Sequence, residues 1–246
     1  MKIRINLMLL AAVMFCLTLT PPVLGTTIWQ SQFTCPNCGR VYKDYAIMST
    51  NTFGGWDSEF RAYALGFDPL GLLVHTCPKC GCPDRDSLGL DDHARLSRRE
   101  KARIRSLLLD YCRRQRLKPK DFTPSHDYEV LAEILLLRGR PERASAAAYL
   151  RAAWVADDLK HLTRAVACRL KAAHHFQLAL EKQEIEAKDV PQYQYLIGEI
   201  YRGAGNFDQA LAWFHWVETG SFRYPWLLIQ QRDLAVQKNA EKVKIR

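Results

Sequence analysis

The sequence predicts a mostly α-helical protein of antiparallel helix hairpins, preceded by a small α+β module rich in cysteine. Three observations carry that expectation. From Thr123 onward, apolar residues recur at helical spacing, punctuated by Gly and Pro. The stretch Tyr195 to Phe214 has the pattern of a packed two-helix repeat. Ahead of the helices stand two short knuckles, Cys35-Pro-Asn-Cys38-Gly39 and Cys77-Pro-Lys-Cys80-Gly81.

The chain has 246 residues, 48% hydrophobic and 25% charged, a composition that excludes global disorder. Its net charge of +9 suits an anionic partner such as a membrane surface, a wall polymer or nucleic acid. It equally suits a merely soluble protein. Residues 1–25 read as a signal peptide. Lys2 and Arg4 precede an apolar run from Leu7 to Thr20, Pro21 and Pro22 break any helix, and cleavage is expected after Gly25. The mature chain then has no transmembrane span and is exported, periplasmic or extracellular. The alternative is an uncleaved N-terminal segment that anchors the protein to a membrane.

Residues 26–90 form the cysteine module, rich in Gly, aromatics and turn signals, with short strands expected at Arg40–Met48 and Leu72–Thr76. Residues 91–120 form a basic connector. Ser97 and Glu100 make a capping box, and Ile104, Leu107, Leu108 and Tyr111 then share one helical face until Pro119.

Residues 121–246 form the helical domain. Thr123-Pro124 starts a helix that ends at Arg138-Gly139. Further helices are expected from Pro141 to Asp158, His161 to Glu186, Pro191 to Gly203, Phe207 to Glu218, and Pro225 to Lys238. The repeat-like stretch matches the tetratricopeptide pattern. Ile197 and Gly198 take its Leu-Gly positions, with Tyr201, Gly205, Phe207, Ala210 and Phe214 at the later offsets. Small Gly198 and Ala210 let two helices approach. A weaker copy overlies Tyr149, Ala153, Ala156, Leu162, Ala165 and Ala172, so the array is degenerate rather than regular.

The knuckle spacing has a chemical reason. Two residues between cysteines let one tight turn aim both thiolates at a single ion, and the glycine after the second supplies the positive φ. Cys35, Cys38, Cys77 and Cys80 are therefore expected to hold one structural zinc in a closed tetrahedron, as in a zinc ribbon. Disulfides are the competing chemistry. The odd number of cysteines after Gly25 argues against a fully bridged framework. Cys82 is a fifth nearby thiol, spare or a substitute for Cys80. Cys112 and Cys168 fall on apolar helix faces as buried, inert thiols.

These residues resemble the bacterial domain-of-unknown-function family 2225 over about Thr34 to Val217. The resemblance rests on the two knuckles, Asp57-Ser58-Glu59-Phe60 through Tyr63, Asp68-Pro69, and the run from Tyr195 to Arg202. It implies a cysteine module joined to tetratricopeptide-like helices and supplies no reaction. Most members look cytosolic, so the expectation of export rests on residues 1–25 alone.

For function, the leading expectation is a non-enzymatic interaction or scaffold protein that binds a protein or peptide partner. Its groove would present Gln192, Tyr195, Glu199 and Arg202 from the first helix of the repeat. The plain alternative is a solvated helix face. An enzyme using Asp57, Glu59, Asp68 or His75 is the second hypothesis, but no nucleophile–base pair, phosphate loop or catalytic zinc motif appears. A binder of anionic polymer through the basic connector is the third. Nucleic acid is disfavoured by export.

Overall fold

A computed structural model describes residues 25–90, 94–217 and 221–245. Of the expected leader, only Gly25 falls within them.

The chain opens with an antiparallel hairpin. Strand β1 (Thr27–Thr34) pairs with β2 (Val41–Ser49), setting Phe33 opposite Tyr42 and Trp29 opposite Ala46. Strand β2 lies close to the expected Arg40–Met48. The strand expected at Leu72–Thr76 is not formed. Pro69 fixes the start of a 3-10 turn, Pro69–Leu72, and the Asp68 carboxylate accepts from Leu70 N at 2.9 Å, which caps that turn. Beyond it only Thr76 bridges, to Pro83.

Seven α-helices follow among the described residues: α1 (Arg98–Gln115), α2 (Pro124–Leu137), α3 (Glu142–Asp158), α4 (Leu162–Glu181), α5 (Val190–Gly203), α6 (Phe207–Trp216) and α7 (Pro225–Val236). Their starts follow local chemistry. In α1 the Ser97 hydroxyl accepts from Glu100 N at 3.1 Å, and the Glu100 carboxylate accepts from Ser97 N at 2.9 Å. Helix α2 begins at Thr123-Pro124, with His126 rather than an acid completing the box. Helix α4 stops at Glu181, five residues before the expected end, because Gln183 turns left-handed (φ 56°). The Glu184 carboxylate then accepts from Glu142 N and Arg143 N, capping the start of α3.

Consecutive helices pack side by side from α2 through α7. Ala146, Ala152 and Ala153 of α3 and Ala172 and Ala173 of α4 are all buried, so these two helices meet on small side chains. At the α5–α6 seam, a Cβ on Gly198 would lie 2.6 Å from the Phe214 ring. That close approach is the one expected for Gly198.

The apolar core does not end at residue 90. Cys35, Tyr42, Val74, Cys77 and Leu88 belong to the same buried cluster as Ile104, Tyr128, Tyr149 and Ile200. A second cluster holds Tyr195, Phe214, Leu227 and Leu228, with Trp56 and Phe60 packed against it. The C-terminal tail closes the circuit. Strand β4 (Lys244–Ile245) pairs with β3 (Trp56–Asp57), and Ser58 N donates to Val243 O at 3.0 Å.

Candidate metal centre and its surroundings

The first knuckle is the turn of the β1–β2 hairpin. Cys35 N donates to Arg40 O, and Gly39 N, at a φ of 74°, donates to Cys35 O. The second knuckle repeats the motif: Cys77 N donates to Cys82 O, and Gly81 N, at a φ of 75°, donates to Cys77 O. Two separate turns thus converge. Cys35 Sγ lies 3.6 Å from Cys80 Sγ, and Cys38 Sγ lies 3.7 Å from Cys77 Sγ. All four sulfurs fall within 4.8 Å of one another. An ion about 2.3 Å from four tetrahedral sulfurs sets them roughly 3.8 Å apart. A disulfide would need about 2.05 Å. The set is therefore compatible with a metal site.

N–H groups reach two of the four sulfurs. Cys38 N points at Cys35 Sγ (3.4 Å), and Asn37 Nδ2 lies 4.0 Å from Cys80 Sγ. Thiol hydrogen bonds from Cys80 and Cys82 hold Cys35 far below the ordinary thiol range, and the same bonds push Cys80 and Cys82 upward. Cys35 and Cys77 are buried while Cys38 is exposed. Cys82 is buried beside the set without belonging to it. Cys168 is buried as expected, whereas Cys112 is only half-buried.

His75 is not among the four ligand positions. Its ring stacks on Phe33 at 4.1 Å and its Nδ1 lies 3.2 Å from Asp44 Oδ2. The acids near the knuckles are likewise engaged within the chain. The Asp57 carboxylate accepts from Glu59 N, Arg61 N and the Tyr63 hydroxyl, within a turn that holds Phe60 left-handed at φ 61°. Asp68 and Asp158 both accept from Arg61. Glu59, almost fully buried, accepts from Arg169 at 2.7 and 2.9 Å and from Trp154 Nε1 at 2.8 Å. Burial opposes its charge, but Arg169 and Lys242 outweigh burial and hold the carboxyl at about 2. Lys242, from the C-terminal tail, also reaches Asp157 at 3.0 Å.

Three of the four residues expected in a partner groove are buried. Tyr195 donates to Ser58 O at 3.1 Å. Glu199 and Arg202 form a pair at 2.6 and 2.7 Å, and Arg202 also donates to Asn239 O and Glu241 O of the tail. All three have zero solvent exposure, because the loop around Ser58 and the C-terminal tail cover the face that a free helix hairpin would leave open. Gln192 alone stays partly exposed. It lines a groove of about 600 Å³ with Phe60, Leu73, Arg143, Ala147, Leu150, Arg151, Trp154, Phe176, Tyr193 and Leu196.

The family model described as "Uncharacterized protein conserved in bacteria (DUF2225)" matches residues 28–234. The chain belongs to this DUF2225 family. No curated protein and no solved structure matches it. The matched span takes in both DUF2225 knuckles, the buried Asp57–Arg61 turn and helices α1–α6, and it ends within α7.

Sequence reasoning missed Arg61, Trp154, Arg169 and Lys242. One signal was available. Arg169 sits on α4 among Ala165, Cys168, Ala172 and Ala173, a core face where a charge requires a buried partner.

Proposed function

We propose that this DUF2225 protein is a non-enzymatic interaction protein whose N-terminal part is fixed by one structural zinc on Cys35, Cys38, Cys77 and Cys80. The observation that carries this reading is the pair of sulfur separations, 3.6 and 3.7 Å, which suit a shared ion. Four thiolates complete a tetrahedral shell and leave no open position for an activated water. The engagement of Asp57, Glu59, Asp68 and His75 within the chain supports a structural role for them. In this reading the partner contacts the groove that Gln192 lines, and the helix pairs are tetratricopeptide-like.

Export completes the proposal. No helix of the described residues is long and apolar enough to cross a membrane. Gly25 O accepts from Asn51 Nδ2 at 2.6 Å, and Thr26 Oγ1 donates to Phe67 O at 2.7 Å. Cleavage after Gly25 would remove the first of these bonds and keep the second, and N-terminal sequencing of the exported form should begin at Thr26.

Native mass spectrometry of the purified chain with co-purified partners retained tests the reading. It should show one zinc per chain and a bound protein or peptide. Cys35→Ser should lose the zinc and Cys82→Ser should keep it. A metal-free chain with no retained partner would refute the proposal.

A further inference from the structure

We propose that the groove along α3 binds an extended peptide segment with an apolar side chain between two acidic ones. This rests on the interaction reading above and names the partner's chemistry.

The groove has a directional pattern. Arg143, Ala147 and Arg151 follow one another at four-residue intervals on α3, with Leu150 and Trp154 alongside. Phe60, Leu73, Phe176 and Leu196 complete an apolar floor and wall. Gln192 and Tyr193, from α5, also line the groove. A second depression of about 430 Å³ shares Ala147 and Arg151 and runs on past Leu131, Leu135, Ala144 and Ala148. The surface is therefore elongated, longer than a compact metabolite needs.

Charge selects the occupant. Arg143 and Arg151 are exposed, and among the described residues neither guanidinium has an ion-pair or hydrogen-bond partner. The acid within the groove, Glu59, is already matched by Arg169 and Lys242. The rim is thus cationic over an apolar floor. Eight helical residues separate the two arginines, roughly 12 Å along the axis. An extended chain covers that in about four residues, and its alternate side chains share one face. Acids at the first and fifth positions then meet the guanidiniums while the third side chain enters the floor. The Gln192 amide and Tyr193 hydroxyl are placed to meet peptide backbone groups.

The test is fluorescence anisotropy of the full chain with labelled peptides centred on Glu-Ser-Leu-Ser-Glu, Gln-Ser-Leu-Ser-Gln and Glu-Ser-Ser-Ser-Glu. The first should bind, and each of the others should bind at least about tenfold more weakly. Arg143→Glu and Arg151→Glu should each weaken the first peptide by a similar factor. They replace unpartnered exposed groups, and helical circular dichroism should confirm the fold. Ala147→Trp fills the floor without altering charge and should abolish binding. Equal affinity for the Glu and Gln peptides, or indifference to both arginine substitutions, would overturn the proposed acidic chemistry. If the Gln peptide binds equally and Ala147→Trp still blocks it, the interaction reading survives and only the acidic selectivity falls. If no peptide binds at all, the peptide proposal fails, and retained partners in native mass spectrometry separately decide the broader reading.

Discussion

In the helical body a residue is held by many weak apolar contacts. Ala152, Ala153, Ala172 and Ala173 are fully buried in one core, and Gly198 lets Phe214 seat against α5. In residues 26–90 few large apolar side chains are buried, and Trp29, Met48 and Phe53 are more than 60% exposed. Beside the share of the core that Tyr42, Val74 and Leu88 provide, point contacts mark this part: four converging sulfurs, the Asp57 turn, and the Glu59 and Arg61 ion pairs. Those ion pairs reach α3 at Asp158 and α4 at Arg169. The difference teaches that the N-terminal part is a region fastened to the helices rather than a module resting beside them. A distributed core loses stability gradually under substitution, whereas a point-fastened region loses it in steps.

The largest step should come from the Glu59 pair. Arg169→Leu leaves an almost fully buried carboxylate without its main partner and should cost about 3–5 kcal/mol in denaturant unfolding. The double variant Glu59→Gln with Arg169→Leu should recover part of that loss. Additive losses would break the idea that these two side chains fasten the regions as a unit.

An acid-sensitive group belongs to the helical side. Burial, and then the nearby Arg164, lower His126 from 6.5 to about 4. The unfolded chain binds a proton below about pH 6.5 that the folded chain refuses until about pH 4. Stability from this group is therefore present above pH 6.5 and lost as pH falls to 4, by up to about 3 kcal/mol. His126→Gln retains a capping side chain and should flatten that part of the stability–pH curve. An unchanged slope would assign the acid loss to other groups.

A smaller effect should follow at the α5–α6 seam. Gly198→Ala places a methyl 2.6 Å from the Phe214 ring and should destabilise by about 1–3 kcal/mol without altering metal content. Loss of metal in this variant would mean that the helical seam and the cysteine site are coupled more tightly than the contacts indicate.

Helix starts and ends were legible because their signals are local. Ser97 with Glu100, Thr123 with Pro124, and the positive φ of Gly139 and Gly205 each act within one turn. The four-sulfur set was legible for the same reason, since each knuckle is a self-contained turn. What escaped depends on distant sequence. Strand β1 is exposed along most of its length and shows no clean alternation of buried and exposed positions. Strand β4 exists only because it meets Trp56–Asp57. Tyr195 and Arg202 looked like a groove face until the Ser58 loop and the tail, from opposite ends of the chain, covered them. The groove that remains open lies on α3, whose Arg143 and Arg151 belong to no motif that marks them in the sequence.

X-ray absorption at the zinc edge of the purified protein is the most direct test of the four-cysteine centre. A shell of four sulfurs at about 2.3 Å, absent in Cys35→Ser and retained in Cys82→Ser, is the result predicted. A shell rich in nitrogen or oxygen, or a metal-free protein whose peptide map shows Cys35–Cys38 and Cys77–Cys80 disulfides, would contradict it.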